Sequence, residues 1–76
     1  MTINDVLVKN LTYYRHNMGL NKTSFAKVCG VNRTTLENIY SGLNTISLTT
    51  LEQIADGLGC KPSDLILDWD GELERV

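Results

Sequence analysis

The sequence has 76 residues, of which 42% are hydrophobic, and a formal net charge of −2. A chain of this length accommodates one domain and excludes a second. No apolar run approaches the ~20 residues that span a bilayer, and no charged-then-apolar leader resembles a signal peptide, so we expect a cytoplasmic protein that spans no membrane.

The charges are unevenly distributed along the chain. Residues 1–36 contain five basic residues and one acid, which gives a net charge of +4. Residues 37–76 contain two basic residues and eight acids, which gives a net charge of −6. Because the local field of a face steers a charged ligand more than the total charge does, the first half is the better candidate for binding a polyanion.

A first helix is predicted to end at Gly19. Thr2 or Asn4 can cap its start, and Asp5 is favourably placed near its positive end. Apolar residues recur at helical spacing and form one stripe: Val6 or Leu7, then Leu11, Tyr14 and Met18.

Two short helices follow, joined by a turn that contains Gly30. Asn21 is a plausible N-cap of the second helix, and Asn32 of the third. The predicted inward-facing residues are Phe25, Ala26 and Cys29 in the second helix, and Leu36, Ile39 and Tyr40 in the third. Gly42 ends the third helix. Helix, short glycine turn and helix is the arrangement that allows the latter helix to enter the major groove of DNA.

Ser47 is predicted to cap a fourth helix that ends at Gly59. Gly57 lies inside this helix, where glycine is unfavourable, and we expect a close helix crossing as the reason. Pro62 suits the first position of a short fifth helix. In the acidic segment that follows, Trp69 either folds back on the core or anchors a dimer, and the sequence favours neither.

Cys29 and Cys60 both stand where the helical pattern calls for a small buried residue. We expect them to pack in the core as free thiols. A disulfide or a metal site is the alternative, although a cytoplasmic chain rarely holds disulfides and one distant histidine completes no zinc site.

An ordered set of residues resembles the Cro and phage-repressor family of bacterial and phage transcription regulators. The set is Arg15, Gly19-Leu20-Asn21, Phe25-Ala26, Gly30-Val31, Thr34-Thr35-Leu36, Ile39, Gly42, Leu48, Leu51, Ile54-Ala55, Leu58-Gly59 and Ser63-Asp64-Leu65. The resemblance implies an all-α, five-helix, lambda-repressor-like domain with a helix-turn-helix at helices 2 and 3. We expect this DNA-binding domain to occupy residues 1–67 and an acidic tail to occupy residues 68–76.

The outward face of the third helix is the predicted reading surface. The planar fork of Arg33 suits the paired acceptors of guanine, and Thr34 can reach a phosphate or a thymine methyl group. Asn38 is positioned for adenine or phosphate. Glu37 can accept from cytosine or can serve only to exclude other sites. An ordinary polar helix face without a ligand is the alternative for these residues.

Further DNA contacts are expected around this helix. The candidates are Arg15, Lys22, Thr23, Asn32, Thr35, Asn44 and Thr45. In the family, an arginine at the position of Arg15 often pairs with a glutamate and holds a phosphate, but the partner position here is Tyr40. Arg15 can therefore stack on that ring or lie in solvent. The loop that holds Asn44 lacks the basic residues common in the family, which predicts weaker and less salt-sensitive binding.

The pattern as a whole predicts a sequence-specific DNA-binding regulator, a repressor that binds an inverted repeat as a homodimer. A protein-binding module on the same fold, such as a phage anti-repressor or an antitoxin, is the alternative, and a regulatory protein partner is compatible with either. An enzyme finds no support, since there is no nucleophile-and-base pairing and no phosphate loop. No cofactor or metal is expected.

Overall fold

The computed structural model describes residues 2–43 and 46–69 of the chain. This part of the chain forms five helices and no strand, as the sequence predicts. The helices are α1 (Ile3–Met18), α2 (Lys22–Cys29), α3 (Arg33–Ser41), α4 (Leu48–Leu58) and α5 (Pro62–Ile66).

The predicted helix boundaries coincide with side-chain caps. Thr2, rather than Asn4, caps α1, and its hydroxyl and the Asp5 carboxylate form a reciprocal capping box. Asn21 accepts a hydrogen bond from the Ser24 N–H at the start of α2. Each cap satisfies a backbone N–H that has no partner within its own helix, which explains why the helices begin at these residues.

One hydrophobic core lies between the helices. Its buried members are Leu7, Leu11, Phe25, Ala26, Cys29, Leu36, Ile39, Leu51, Ile54, Ala55 and Leu65. The predicted stripe of α1 is wrong at one end, because Met18 is 43% exposed. Met18 is the last residue of α1, at the helix end, where the stripe no longer faces a packed neighbour.

A buried asparagine joins α1 to α5. Asn10 is only 7% exposed, and its side-chain nitrogen donates to the carbonyls of Leu65 at 2.8 Å and Leu67 at 3.0 Å. These carbonyls lie at the end of α5, where no further helical turn would satisfy them. The role of Asn10 was not predicted from the sequence, because hydrophobic periodicity identifies buried apolar residues and gives no sign of a buried polar one.

Gly57 lies at a close crossing of α4 with α2. A side-chain carbon at this position would overlap the backbone carbonyl of Val28. The expectation of a close helix crossing is therefore confirmed, and the crossing fixes α2 directly against α4.

Both cysteines are free thiols, and Cys29 is completely buried. Cys60 is partly buried and packs against the same core, so the expectation of core packing is confirmed. Burial raises the pKa of the Cys29 thiol to about 11, with a smaller contribution from the neighbouring Cys60.

The segment after α5 turns back on that helix. The indole N–H of Trp69 donates to the Asp64 carbonyl at 3.3 Å, yet the side chain remains 65% exposed. Trp69 thus contacts α5 without entering the core. None of the described helices is long and apolar enough to cross a membrane.

We expect Gly57→Ala to destabilise the protein. An alanine within a helix ordinarily stabilises by about 1 kcal/mol relative to glycine. Here the methyl group meets backbone that cannot rotate away, so α2 and α4 must separate, at a cost of about 1–3 kcal/mol. Urea unfolding measures the difference, with Asp56→Ala on the exposed face of α4 as the control. A more stable Gly57→Ala variant would contradict the close crossing.

The raised pKa of Cys29 predicts a loss of stability at alkaline pH. The unfolded chain releases the thiol proton at a lower pH than the folded protein does. The free energy of unfolding therefore falls as the pH rises from about 8.5 to about 11, by about 2–3 kcal/mol. Cys29→Ala should show a shallower decline over this range, measured by urea unfolding at several pH values. Equal slopes in the two proteins would refute the assignment to Cys29.

Candidate nucleic-acid interface

A short turn, residues 30–32, sets the angle between α2 and α3. Gly30 has a φ of 74°, a left-handed backbone conformation that residues with a side chain rarely adopt. Its N–H donates to carbonyls in the last turn of α2. The Val31 N–H donates to the Ala26 carbonyl at 3.0 Å. The side-chain nitrogen of Gln53 in α4 donates to the Gly30 carbonyl. The turn is thus bonded on both sides, to α2 and to α4.

The third helix presents a polar face to solvent. Leu36 and Ile39 are buried beneath it. Arg33, Thr34 and Glu37 are exposed, and two further candidates, Thr35 and Asn38, are half-buried at its sides. The predicted orientation of this helix is confirmed.

Arg33 is held by two side chains on the surface of the helix pair. Its Nε donates to Oε1 of Glu37 at 3.0 Å, one turn further along α3. Its Nη1 donates to the hydroxyl of Thr23 in α2 at 2.9 Å. The Arg33 and Glu37 side chains are 59% and 49% exposed. An exposed pair at this spacing stabilises a helix by only about 0.3–0.5 kcal/mol, so the main consequence of these contacts is a defined guanidinium position.

Asn32 has a structural role that limits its availability to DNA. Its side-chain oxygen accepts from the Thr35 N–H at 2.7 Å and caps α3. The cap occupies the acceptor oxygen, and the side-chain amide nitrogen remains as the donor that a phosphate contact would use. The two threonines of the first turn, Thr34 and Thr35, follow this cap directly.

Lys22, rather than Arg15, lies over the ring of Tyr40. The ammonium group is 5.3 Å from the ring centroid, within the range of a cation–π interaction. Arg15 is half-buried, and its Nη1 lies 3.4 Å from the Leu20 carbonyl while its Nη2 lies 3.5 Å from the ring nitrogen of His16. The expectation that Arg15 stacks on Tyr40 or lies in solvent is wrong, because its guanidinium turns toward the Leu20 carbonyl in the segment between α1 and α2.

Two predicted contacts, Asn44 and Thr45, lie outside the described residues. Of the other candidates, the structure brings Thr23, Arg33 and Glu37 into one hydrogen-bonded group, and Lys22 lies next to Thr23 at the start of α2. In the described ranges, no three histidine, cysteine or acidic side chains come together as a metal site.

Sequence reasoning missed three hydrogen-bonded contacts at this surface. The Arg33–Glu37 spacing of four residues was a usable signal, since such residues are neighbours on a helix. The Thr23–Arg33 contact joins α2 to α3 and the Gln53–Gly30 contact joins α4 to the turn, so no local pattern indicates either.

Comparison with known proteins agrees with this arrangement. The model of the Cro/C1-type HTH DNA-binding domain matches residues 10–68. A crystal structure of the hypothetical transcription factor NHTF from Neisseria superimposes with a TM-score of 0.82 and 27% sequence identity, covering 99% of this chain and 86% of that chain. No curated protein matches the sequence. The family model covers most of the chain, which therefore belongs to the Cro/C1-type helix-turn-helix family of DNA-binding domains.

Proposed function

We propose that this protein is a sequence-specific transcriptional repressor that reads DNA with α3. The observation that carries the proposal is the position of Arg33, in the exposed first turn of α3 and held there by two hydrogen bonds. An α-helix fits the major groove, and the paired donors of an arginine match the two acceptors of guanine.

The other polar side chains of α3 complete the proposed reading surface. Thr34 lies beside Arg33 and reaches a phosphate or a thymine methyl group. Asn38 lies one turn later and is placed for adenine or a phosphate. Glu37 is the acidic member of this surface, and a cytosine amino group is the base-edge donor it can accept from.

Phosphate contacts are proposed to come from the residues around α3. Lys22 stands at the start of α2, where free N–H groups also favour an anion, and Thr23 beside it is proposed to act through its hydrogen bond with Arg33. Arg15, Asn44 and Thr45 are the remaining candidates. Because few of these groups are cationic, binding should release few counterions and depend weakly on salt.

The proposed active form is a homodimer on an inverted repeat. Two copies related by a twofold axis place their α3 helices in successive major grooves, one DNA turn of about 34 Å apart. Occupation of such a site blocks access of polymerase, which is the proposed mechanism of repression. No catalytic step is involved, and the proposed site of action is the cytoplasm.

We assign DNA binding to residues 1–67 and treat residues 68–76 as an acidic tail. The exposed Trp69 side chain is a candidate anchor of the dimer, because aromatic residues are enriched in interface cores. The negative charge of this segment disfavours contact with DNA phosphates.

A protein-binding module is the second candidate function. It is favoured by the net charge of −6 on residues 37–76 and by the pairing of Arg33 with Glu37, which partly neutralises the reading face. Recovery of a defined DNA site separates the two functions, since a module of this kind would select none.

Selection of binding sites from random duplex DNA at near-physiological salt tests the repressor proposal. We expect an inverted repeat, and Arg33→Ala should lower discrimination at one guanine per half-site by about 1–3 kcal/mol while leaving the fold intact. Lys27→Ala is the control, because it removes the same charge from an exposed position of α2 outside the predicted contacts. Failure of the wild-type protein to enrich any sequence would favour the protein-binding module.

Lys22→Ala should weaken binding to all sequences alike. A phosphate contact carries no base information, so base preference stays unchanged while the slope of log K against log salt becomes shallower by about 0.9 per subunit. Titrations of the selected site at several salt concentrations measure the slope, again with Lys27→Ala as the control. An unchanged slope in Lys22→Ala would remove Lys22 from the phosphate contacts.

A further inference from the structure

We infer that Thr23 and Glu37 are positioning residues for base recognition, which hold the Arg33 guanidinium in the orientation that reads guanine. The inference rests on the proposed function and deepens it. According to this inference, recognition of one base pair depends on three side chains from two helices and not on Arg33 alone.

The hydrogen bonds of Arg33 leave a suitable set of donors. A guanidinium carries five N–H donors in one plane. Glu37 takes the Nε hydrogen, and Thr23 takes one of the two Nη1 hydrogens. The second Nη1 hydrogen and the Nη2 hydrogens remain for a ligand. The inference requires that Thr23 accept the Nη1 hydrogen that points toward Cδ, which leaves one Nη1 and one Nη2 hydrogen parallel, the pattern that O6 and N7 of guanine require.

The two contacts together define the guanidinium plane. One contact alone would allow the plane to rotate about a single hydrogen bond. Thr23 and Glu37 approach different nitrogens from different helices, so the plane is fixed at two points. A side chain that is ordered before binding loses less conformational entropy when it binds, and the benefit applies only to a base that fits its orientation.

The inference also accounts for an acid on a surface that faces a polyanion. Glu37 is 49% exposed and would repel nearby phosphates. Its carboxylate accepts from Arg33 at 3.0 Å, and a charged acceptor makes a stronger hydrogen bond than a neutral one. Glu37 therefore lowers affinity for DNA in general and sharpens the preference for the base pair that Arg33 contacts.

Thr23 offers the cleaner test, because valine has the same shape without the hydroxyl and serine keeps the hydroxyl. The proteins compared are the wild type, Thr23→Val, Thr23→Ser, Arg33→Ala and the Thr23→Val/Arg33→Ala double variant. Affinities are measured for the selected site and for sites in which each G·C pair is replaced in turn. The position at which Arg33→Ala removes discrimination identifies the base pair that Arg33 reads.

At that position we expect Thr23→Val to reduce discrimination between base pairs by about 3- to 10-fold, because the Arg33 side chain must then be ordered when it binds. Thr23→Ser should match the wild type, and the double variant should match Arg33→Ala. Glu37→Ala should reduce discrimination at the same position and raise affinity for random DNA.

Two results would overturn the inference. One is wild-type discrimination in both Thr23→Val and Glu37→Ala. The other is a Thr23→Val defect that is equal at all positions and persists without Arg33, which would mean that Thr23 contacts a phosphate directly. Both results require a wild-type protein that selects a site, so they are distinct from failure of the proposed function, in which the wild type selects none.

Discussion

The close contact of α4 with α2 is the constraint on which the reading surface depends. Gly57 allows the backbone of α4 to approach the Val28 carbonyl. Gln53 lies one turn earlier on the same helix and reaches the Gly30 carbonyl in the turn before α3. One face of α4 thus fixes both the end of α2 and the start of the turn. The direction in which α3 leaves the core follows from these two contacts.

The position of the exposed Arg33 side chain also depends on how α2 and α3 are packed. Its contact with Thr23 exists only while α2 and α3 keep their relative placement, because the two residues belong to different helices. The contact adds little to the stability of the fold, as expected for exposed side chains. Its proposed value lies in the orientation of the Arg33 guanidinium for base recognition. The buried core therefore controls the placement of the side chain proposed to read guanine, although it does not touch that side chain.

The cations near the reading surface are also engaged with the protein itself. Lys22 lies over the Tyr40 ring, and Arg15 turns toward the Leu20 carbonyl. With Arg33 paired to Glu37, the surface offers oriented hydrogen-bond donors more than free positive charge. Such a surface suits a regulator that distinguishes sequences through base contacts, because the nonspecific attraction to phosphate is small.

The sequence by itself determined the five helices, their caps at Asn21, Asn32 and Ser47, and the outward face of α3, because these features depend on neighbours within one or two turns. It also indicated the close approach at Gly57, since glycine is unfavourable within a helix and a close helix crossing explains its presence. The tertiary structure decided the rest. The role of Asn10, the pairing of Lys22 with Tyr40, the inward turn of Arg15 and the contact of Thr23 with Arg33 all join groups on different helices or beyond a helix end. Periodicity within one helix carries no information about which side chains of another helix it will meet.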